Sequence, residues 1–163
     1  MKFVLFRHAH KGVQPFEDPE LSLPGFEQAV RLVQMTATSN LPSPTKLYVS
    51  PRRRTSQTFY PLSKNFSLAL EIKTQLDQSA NDESGADFRK RIANFLSEID
   101  SLKNSDEVVF ACTHYDWIEH AMPLIHCDKD LNSFEFSHWS PTQFVEFDIG
   151  IDGWKFVKKG SAK

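Results

Sequence analysis

Three short apolar runs in this chain are each followed at once by residues that can bind an anion. The runs are Phe3–Phe6, Lys46–Val49 and Val108–Cys112, and an apolar run of this length is typical of a buried strand in a parallel sheet. Ligands of such sheets bind beyond the carboxyl ends of the strands. We therefore expect one anion site at one edge of the sheet, built from the segments that follow these runs: Arg7-His8, Ser50–Arg54 and Thr113-His114.

Helical and strand patterns alternate along most of the chain. Helices are predicted from a cap at Ser22 to about Thr38, from a cap at Ser50 with Pro51 in first position to about Asn65, over Asp87–Leu102 and over Asp116–Ile125. Further strands are predicted at Leu70–Lys73 and in a closing hairpin, Gln143–Ile149 with Trp154–Val157, joined through Asp152-Gly153. This order predicts a single α/β domain over residues 1–163, with a mostly parallel sheet and helices on both faces.

The composition narrows the class of protein. The chain has 163 residues, 40% of them hydrophobic, and a net charge of -2, which fits one globular domain and argues against a nucleic-acid partner. Its 2 cysteines give no disulfide framework, so we expect a reducing, cytoplasmic location. No apolar stretch reaches the length of a membrane span, so no membrane association is expected. The sequence leaves the oligomeric state open.

The residue types at the predicted site fit phosphoryl transfer. Arginine is always charged and binds two oxygens of a phosphoryl group at once, and Arg54 lies in the first turns of a helix, where free backbone N–H groups favour anions. The two arginines disfavour protonation of His8, so its pKa should fall and the neutral imidazole would be nucleophilic. We expect His8 to attack phosphorus while Arg7, Arg54 and His114 hold the oxygens. No metal and no cofactor are required.

These segments resemble the histidine phosphatase (phosphoglycerate mutase-like) superfamily. Ser50–Thr58 matches every fixed position of the family block Ser-Pro-x-x-Arg-x-x-Gln-Thr, and Arg7-His8-Ala9 is similar to the family's Arg-His-Gly. The resemblance implies a phosphoglycerate mutase-like fold, His8 as nucleophile, and a phosphate pocket completed by Arg7, Arg54 and His114. Ala9 and Tyr115 stand where glycine is usual in the family.

The family's general acid is a carboxylate in the loop before the long helix. Asp77 fits that place best, and Asp82, Glu83 and Asp116 are alternatives. Larger members insert a helical lid before the last catalytic strand, and the short segment Phe59–Glu107 leaves no room for one. An open site is expected, as in the small bacterial phosphohistidine phosphatases, with protein phosphohistidine as the first-choice substrate.

Three other functions stay open on the sequence. The first is a phosphomonoesterase for a small phosphorylated metabolite. The second, suggested by Ala9, Tyr115 and the unassigned acid, is a phosphate- or phosphoprotein-binding module without turnover. The third is a metal-dependent hydrolase using the histidines, which chelators would inhibit. Arg52 and Arg53 are interpreted as solvated residues of a helix face rather than catalytic residues, and His10 as a residue of the rim.

Overall fold

Six strands and four α-helices form the fold. The structure, a computed structural model, describes residues 1–163. The strands are β1 Lys2–Arg7, β2 Lys46–Val49, β3 Leu70–Ile72, β4 Val108–Thr113, β5 Phe144–Gly150 and β6 Gly153–Gly160, and the helices are α1 Leu23–Ala37, α2 Arg53–Phe66, α3 Gly85–Asp100 and α4 Tyr115–Ala121. All strands lie in one sheet of order β3-β2-β4-β1-β5-β6. The first four in that order run parallel, and β5 and β6 add an antiparallel edge.

The helices cover both faces of this sheet. Alternate residues of a strand point to opposite faces, and β1 divides accordingly. Phe3 and Leu5 pack in a core cluster with α3 and α4, whereas Val4 and Phe6 pack in a second cluster with α1 and α2. The predicted fold class, a mostly parallel sheet between helical layers, is confirmed.

Two predicted helix boundaries are wrong. Helix α2 starts at Arg53 with Arg52 as its N-cap, so Ser50 does not cap it and Pro51 precedes it. The hydroxyl of Ser50 is engaged elsewhere, as described below. Helix α4 ends at Ala121 because Pro123 has no N–H to continue the α-helical pattern, and the chain continues as a single 3₁₀ turn, Met122–Leu124.

Helix α1 is buried along one face. Its buried residues are Gly25, Ala29, Leu32 and Thr36. Gly25 is needed there because a Cβ at this position would lie 2.0 Å from the backbone oxygen of His10. Ser22 caps the helix through the N–H of Gly25, at 3.1 Å. The start of α1 is therefore packed tightly against the loop that leaves β1.

The segment between α2 and β4 contributes to the sheet and its cover. It contains β3, a 3₁₀ turn and α3, and α3 buries Phe88, Ile92 and Phe95 in the core. The fold accordingly has no helical lid over the carboxyl ends of the strands, as predicted.

No helix of the fold has the length and apolar character needed to cross a lipid bilayer.

Candidate active site

Three neighbouring parallel strands end side by side at the candidate site. Arg7, the last residue of β1, is paired with Thr113, the last of β4, and Val49, the last of β2, is paired with Cys112. The first residues beyond these ends are His8, His114 and Ser50. The sheet register thus brings together the segments that the sequence predicted to meet.

His8 is held with one ring nitrogen available for reaction. Its side chain is 4% exposed, and Nδ1 donates a hydrogen bond to the backbone oxygen of Ala9 at 2.7 Å. In the neutral ring this places the proton on Nδ1 and leaves a lone pair on Nε2. Arg54 Nε lies 3.3 Å from that Nε2 and donates to it. The arrangement fixes the tautomer that a nucleophilic imidazole requires.

The alanine after His8 is compatible with this backbone. The backbone φ of Ala9 is not positive, so this residue needs no glycine-like conformation. Its N–H donates to Thr58 Oγ1 at 2.9 Å, and its methyl group packs with Leu21 and Ala29 in a small buried cluster. The departure from the family's glycine therefore leaves the geometry of His8 intact.

Arg54 links both histidines. Besides His8, its guanidinium donates from Nη2 to His114 Nδ1 at 3.2 Å and to Gln78 Oε1 at 2.6 Å. Its side chain is 6% exposed. A charged arginine in this position lies beside both histidines, next to the space where a phosphoryl group would bind.

His114 is fixed from its far side by Ser50. Arginine can only donate, so His114 Nδ1 accepts from Arg54 and the neutral ring carries its proton on Nε2. That nitrogen lies 2.8 Å from Ser50 Oγ and 3.8 Å from Asp77 Oδ1. Ser50 Oγ also accepts from the N–H of Arg52, at 3.2 Å. With its proton on Nε2, His114 donates to Ser50 Oγ.

Both histidines are neutral at physiological pH. The pKa of His8 is lowered to about 3, first by burial and then by the charges of Arg54, Arg7 and Lys11. The pKa of His114 is lowered to about 2, again first by burial and then by Arg54. The lowered pKa of His8 was predicted from its flanking arginines, but the larger cause is loss of solvent, which the sequence does not reveal.

We predict that this pair makes the fold sensitive to acid. Between pH 6.5 and pH 3 the histidines bind protons in the unfolded chain but not in the folded one. The free energy of unfolding therefore has its highest value above pH 6.5 and falls as the pH drops. Each histidine contributes a slope of roughly 1 kcal/mol per pH unit. Between pH 6 and pH 4.5, the free energy of unfolding measured with urea should fall less in His114→Gln than in the parent protein. Parallel curves for the two proteins would contradict the prediction.

Arg7 has one buried nitrogen without a hydrogen-bond partner. Its Nη1 donates to the backbone oxygen of Trp139 at 2.6 Å, and its Nε is buried without a hydrogen-bond partner. The ring of Tyr115 lies 5.3 Å from the guanidinium carbon. Tyr115 therefore stacks on Arg7 and orients it, and Nε remains a buried donor without a partner.

The four candidate acids have different surroundings. Asp77 Oδ1 binds Arg52 Nε and the N–H of Gln78, both at 2.9 Å. Asp116 accepts from the backbone N–H groups of Ser79 and Trp117. Glu83 binds Arg91 with both oxygens, and this contact lowers the pKa of its carboxyl. Asp82 is exposed. Asp77 reaches closest to the histidine pair, at 3.8 Å from His114, and its role as general acid stays a prediction.

Several contacts of the site were not foreseen from the sequence. Asp18 accepts from the N–H of Arg53 at 3.1 Å and lies 3.8 Å from Arg54 Nη1. The start of α2 is thus already occupied by a carboxylate, which corrects the expectation that its free N–H groups await an anion. Arg52 pairs with Asp77, whereas Arg53 is exposed and pairs with Glu20.

No group of three or more His, Cys, Asp or Glu side chains in residues 1–163 is arranged to hold a metal ion.

Comparisons with known proteins agree with this geometry. Residues 4–80 match the model of the histidine phosphatase superfamily (branch 1). No curated protein sequence matches the chain. The family model confirms the resemblance predicted from the motifs over residues 4–80, which hold Arg7-His8 and the Ser50–Thr58 block.

Solved structures share the whole fold at low sequence identity. The protein histidine phosphatase SixA complexed with tungstate has a TM-score of 0.77 and 13% identity over 99% of this chain and 97% of that chain. Phosphoserine phosphatase from Entamoeba histolytica, in complex with phosphoserine, has a TM-score of 0.72 and 15% identity over 99% and 98%. A mycobacterial glucosyl-3-phosphoglycerate phosphatase has a TM-score of 0.71 and 17% identity over 96% and 97%. These similarities concern the fold.

We predict that Ser50→Ala lowers kcat/KM roughly tenfold, because His114 Nε2 loses its hydrogen-bond partner in a buried site. Steady-state assays with a phosphoramidate measure this effect. Ser97→Ala is the matched control, since Ser97 is exposed on α3 and should stay within about twofold of the parent. Equal kcat/KM for Ser50→Ala and the parent would show that Ser50 does not position His114.

Proposed function

We propose that this chain removes phosphoryl groups from phosphohistidine on proteins, by way of a phosphorylated His8. The observation that carries the proposal is the state of His8: buried, neutral, with Nδ1 bound to Ala9 and Nε2 unprotonated. Nitrogen nucleophiles of this kind form covalent intermediates. The proposed partner is accordingly a phosphorylated protein.

The first step moves the phosphoryl group to the enzyme. The lone pair of His8 Nε2 attacks phosphorus, and the bond between phosphorus and the substrate nitrogen breaks with its electron pair going to the leaving imidazole. Arg54, Arg7 Nε and His114 surround the oxygens whose charge shifts in the transition state. In the second step water attacks the phosphorylated His8, which releases phosphate and restores the imidazole.

The surroundings of Asp77 favour a nitrogen leaving group over an alkoxide. Asp77 Oδ1 accepts from Arg52 Nε and from the N–H of Gln78, both at 2.9 Å, so this oxygen is already engaged within the protein. A phosphohistidine protonated on its other ring nitrogen departs as neutral imidazole and needs no proton from the enzyme. An alkoxide leaving group does need one.

The access to the site fits a substrate carried by a protein. Arg7 and His8 line a cavity of about 510 Å³, and no helical lid stands between it and solvent. SixA, a protein histidine phosphatase by its description, shares the fold over 99% of this chain, which supports the same substrate class here.

The test compares three substrates at equal concentration: a phosphohistidine peptide, the same peptide carrying phosphoserine, and a small sugar phosphate. We expect kcat/KM to be highest for the phosphohistidine peptide. Turnover of the sugar phosphate alone would instead favour the second candidate, a phosphomonoesterase for a small metabolite. That candidate is supported by the size of the cavity beside His8, which accommodates a small leaving group.

We also propose that the protein works in the cytoplasm. Both cysteines are free thiols, one buried and one half-buried, as is usual in a reducing compartment.

A further inference from the structure

We infer that the loop between β1 and α1 forms, beside the phosphate pocket, a binding surface for an acidic peptide segment that flanks the phosphorylated residue. This inference rests on the proposed function and names the kind of protein substrate. The surface consists of His10, Lys11, Val13 and Phe16, and we call it the flanking surface.

The flanking surface adjoins the reactive atoms. The cavity of about 510 Å³ is lined by Arg7 and His8, and the wall formed by the loop includes His10, Lys11, Val13 and Phe16. A phosphoryl group bound at His8 would therefore have the residues next to it in the substrate lying along this wall.

The loop is fixed by hydrogen bonds rather than loosely attached. The N–H of Gly12 donates to Glu20 O at 2.8 Å, and the N–H of Glu20 donates to Gln14 O at 3.1 Å. At the base of the loop, His10 Nδ1 and Ser22 Oγ share a hydrogen bond of 2.7 Å. A wall held in this way can keep side chains in place for a ligand without ordering them on binding.

This fixed loop presents apolar side chains to solvent next to the site. Val13 is 78% exposed and Phe16 is 84% exposed. Neither side chain contributes to the core clusters. Adjacent exposed apolar residues at the mouth of a site are typical of a contact surface.

The basic residues that line the cavity favour an acidic partner. Arg7, His10 and Lys11 line it, and no carboxylate does. Two of the three acidic residues of the loop are directed elsewhere, because Asp18 binds the N–H of Arg53 and Glu20 binds the Arg53 side chain. The third, Glu17, is exposed and does not line the cavity. The charge of Lys11 reaches the reaction centre, where it helps to lower the pKa of His8. A segment with carboxylates beside the phosphorylated residue complements this wall.

The experiment uses two synthetic peptides of equal length, each with one phosphohistidine, flanked by glutamates in one and by lysines in the other. For the parent protein we expect kcat/KM to be about fivefold higher for the glutamate peptide, the size of one exposed ion pair. Lys11→Glu should reverse the preference, and Phe16→Ser should lower kcat/KM for both peptides about tenfold. The control Lys90→Glu makes the same charge change on an exposed residue of α3 and should keep the parent's preference.

The outcomes separate this inference from the proposed function. If the parent hydrolyses both peptides equally well, or if Lys11→Glu keeps its preference, the flanking surface is overturned while the phosphohistidine phosphatase stands. If the parent hydrolyses neither peptide but does hydrolyse a small phosphomonoester, the proposed function fails, and the inference fails with it.

Discussion

His8→Ala should abolish formation of the phosphorylated enzyme and lower turnover on the order of 10⁴-fold or more. His8 Nδ1 donates to the backbone oxygen of Ala9 at 2.7 Å, which leaves Nε2 unprotonated, and His8 lines the cavity beside the site, which His114 does not. The measurement is the intact mass of the protein, mixed briefly with a phosphoramidate and quenched in alkali, where phosphohistidine survives. The parent should gain one phosphoryl group, and the variant should gain none.

The matched control is His126→Ala, which removes an exposed histidine after the short turn that follows α4. It should be phosphorylated like the parent. A phosphorylated His8→Ala protein would assign the nucleophile to another residue, and an unphosphorylated but fully active parent would show that no covalent intermediate accumulates. Circular dichroism of the variant checks that loss of a buried imidazole has not unfolded the chain.

Arg54→Lys should lower kcat by roughly 10²–10³-fold, although the charge is kept. Arg54 reaches His8 through Nε, and His114 and Gln78 through Nη2 of the same planar group. A lysine ammonium is a point charge and cannot hold two phosphoryl oxygens while spanning both histidines. Affinity for vanadate, a phosphoryl transition-state analogue, should fall by a similar factor, because the lost contacts are those of the transition state.

Arg53→Lys is the control for this substitution. Arg53 adjoins Arg54 in sequence, but its side chain is exposed and pairs with Glu20, so kcat should stay within about twofold of the parent. Equal losses of kcat in Arg53→Lys and Arg54→Lys would mean that the reaction depends on the start of α2 rather than on the guanidinium of Arg54.

The fold was largely predictable because its signals are local. Apolar runs such as Phe3–Phe6 and the helical spacing of Phe88, Ile92 and Phe95 depend on neighbouring residues, and both were identified correctly. The convergence of Arg7-His8, Ser50–Arg54 and Thr113-His114 was also predictable, because parallel strands bring their carboxyl ends to one edge.

The remaining contacts of the site depend on distant residues. Asp18 binds Arg53 across 35 positions and Arg52 binds Asp77 across 25, and no local pattern marks either pair. Ser50 has the sequence context of a helix cap, yet its hydroxyl serves His114, 64 positions away. Burial, the main cause of the low pKa of His8, is likewise a property of the assembled fold.

The position of Cys112 has a consequence for oxidants. This thiol lies on β4 two residues before His114, fully buried, and burial raises its pKa far above the usual range. Hydrogen peroxide attacks thiolates, and a protonated, enclosed thiol is inert to it. Since the proposed nucleophile is an imidazole and the cysteine nearest to it in the sheet is shielded, the proposed phosphatase activity should persist under peroxide concentrations that inactivate phosphatases with a catalytic cysteine.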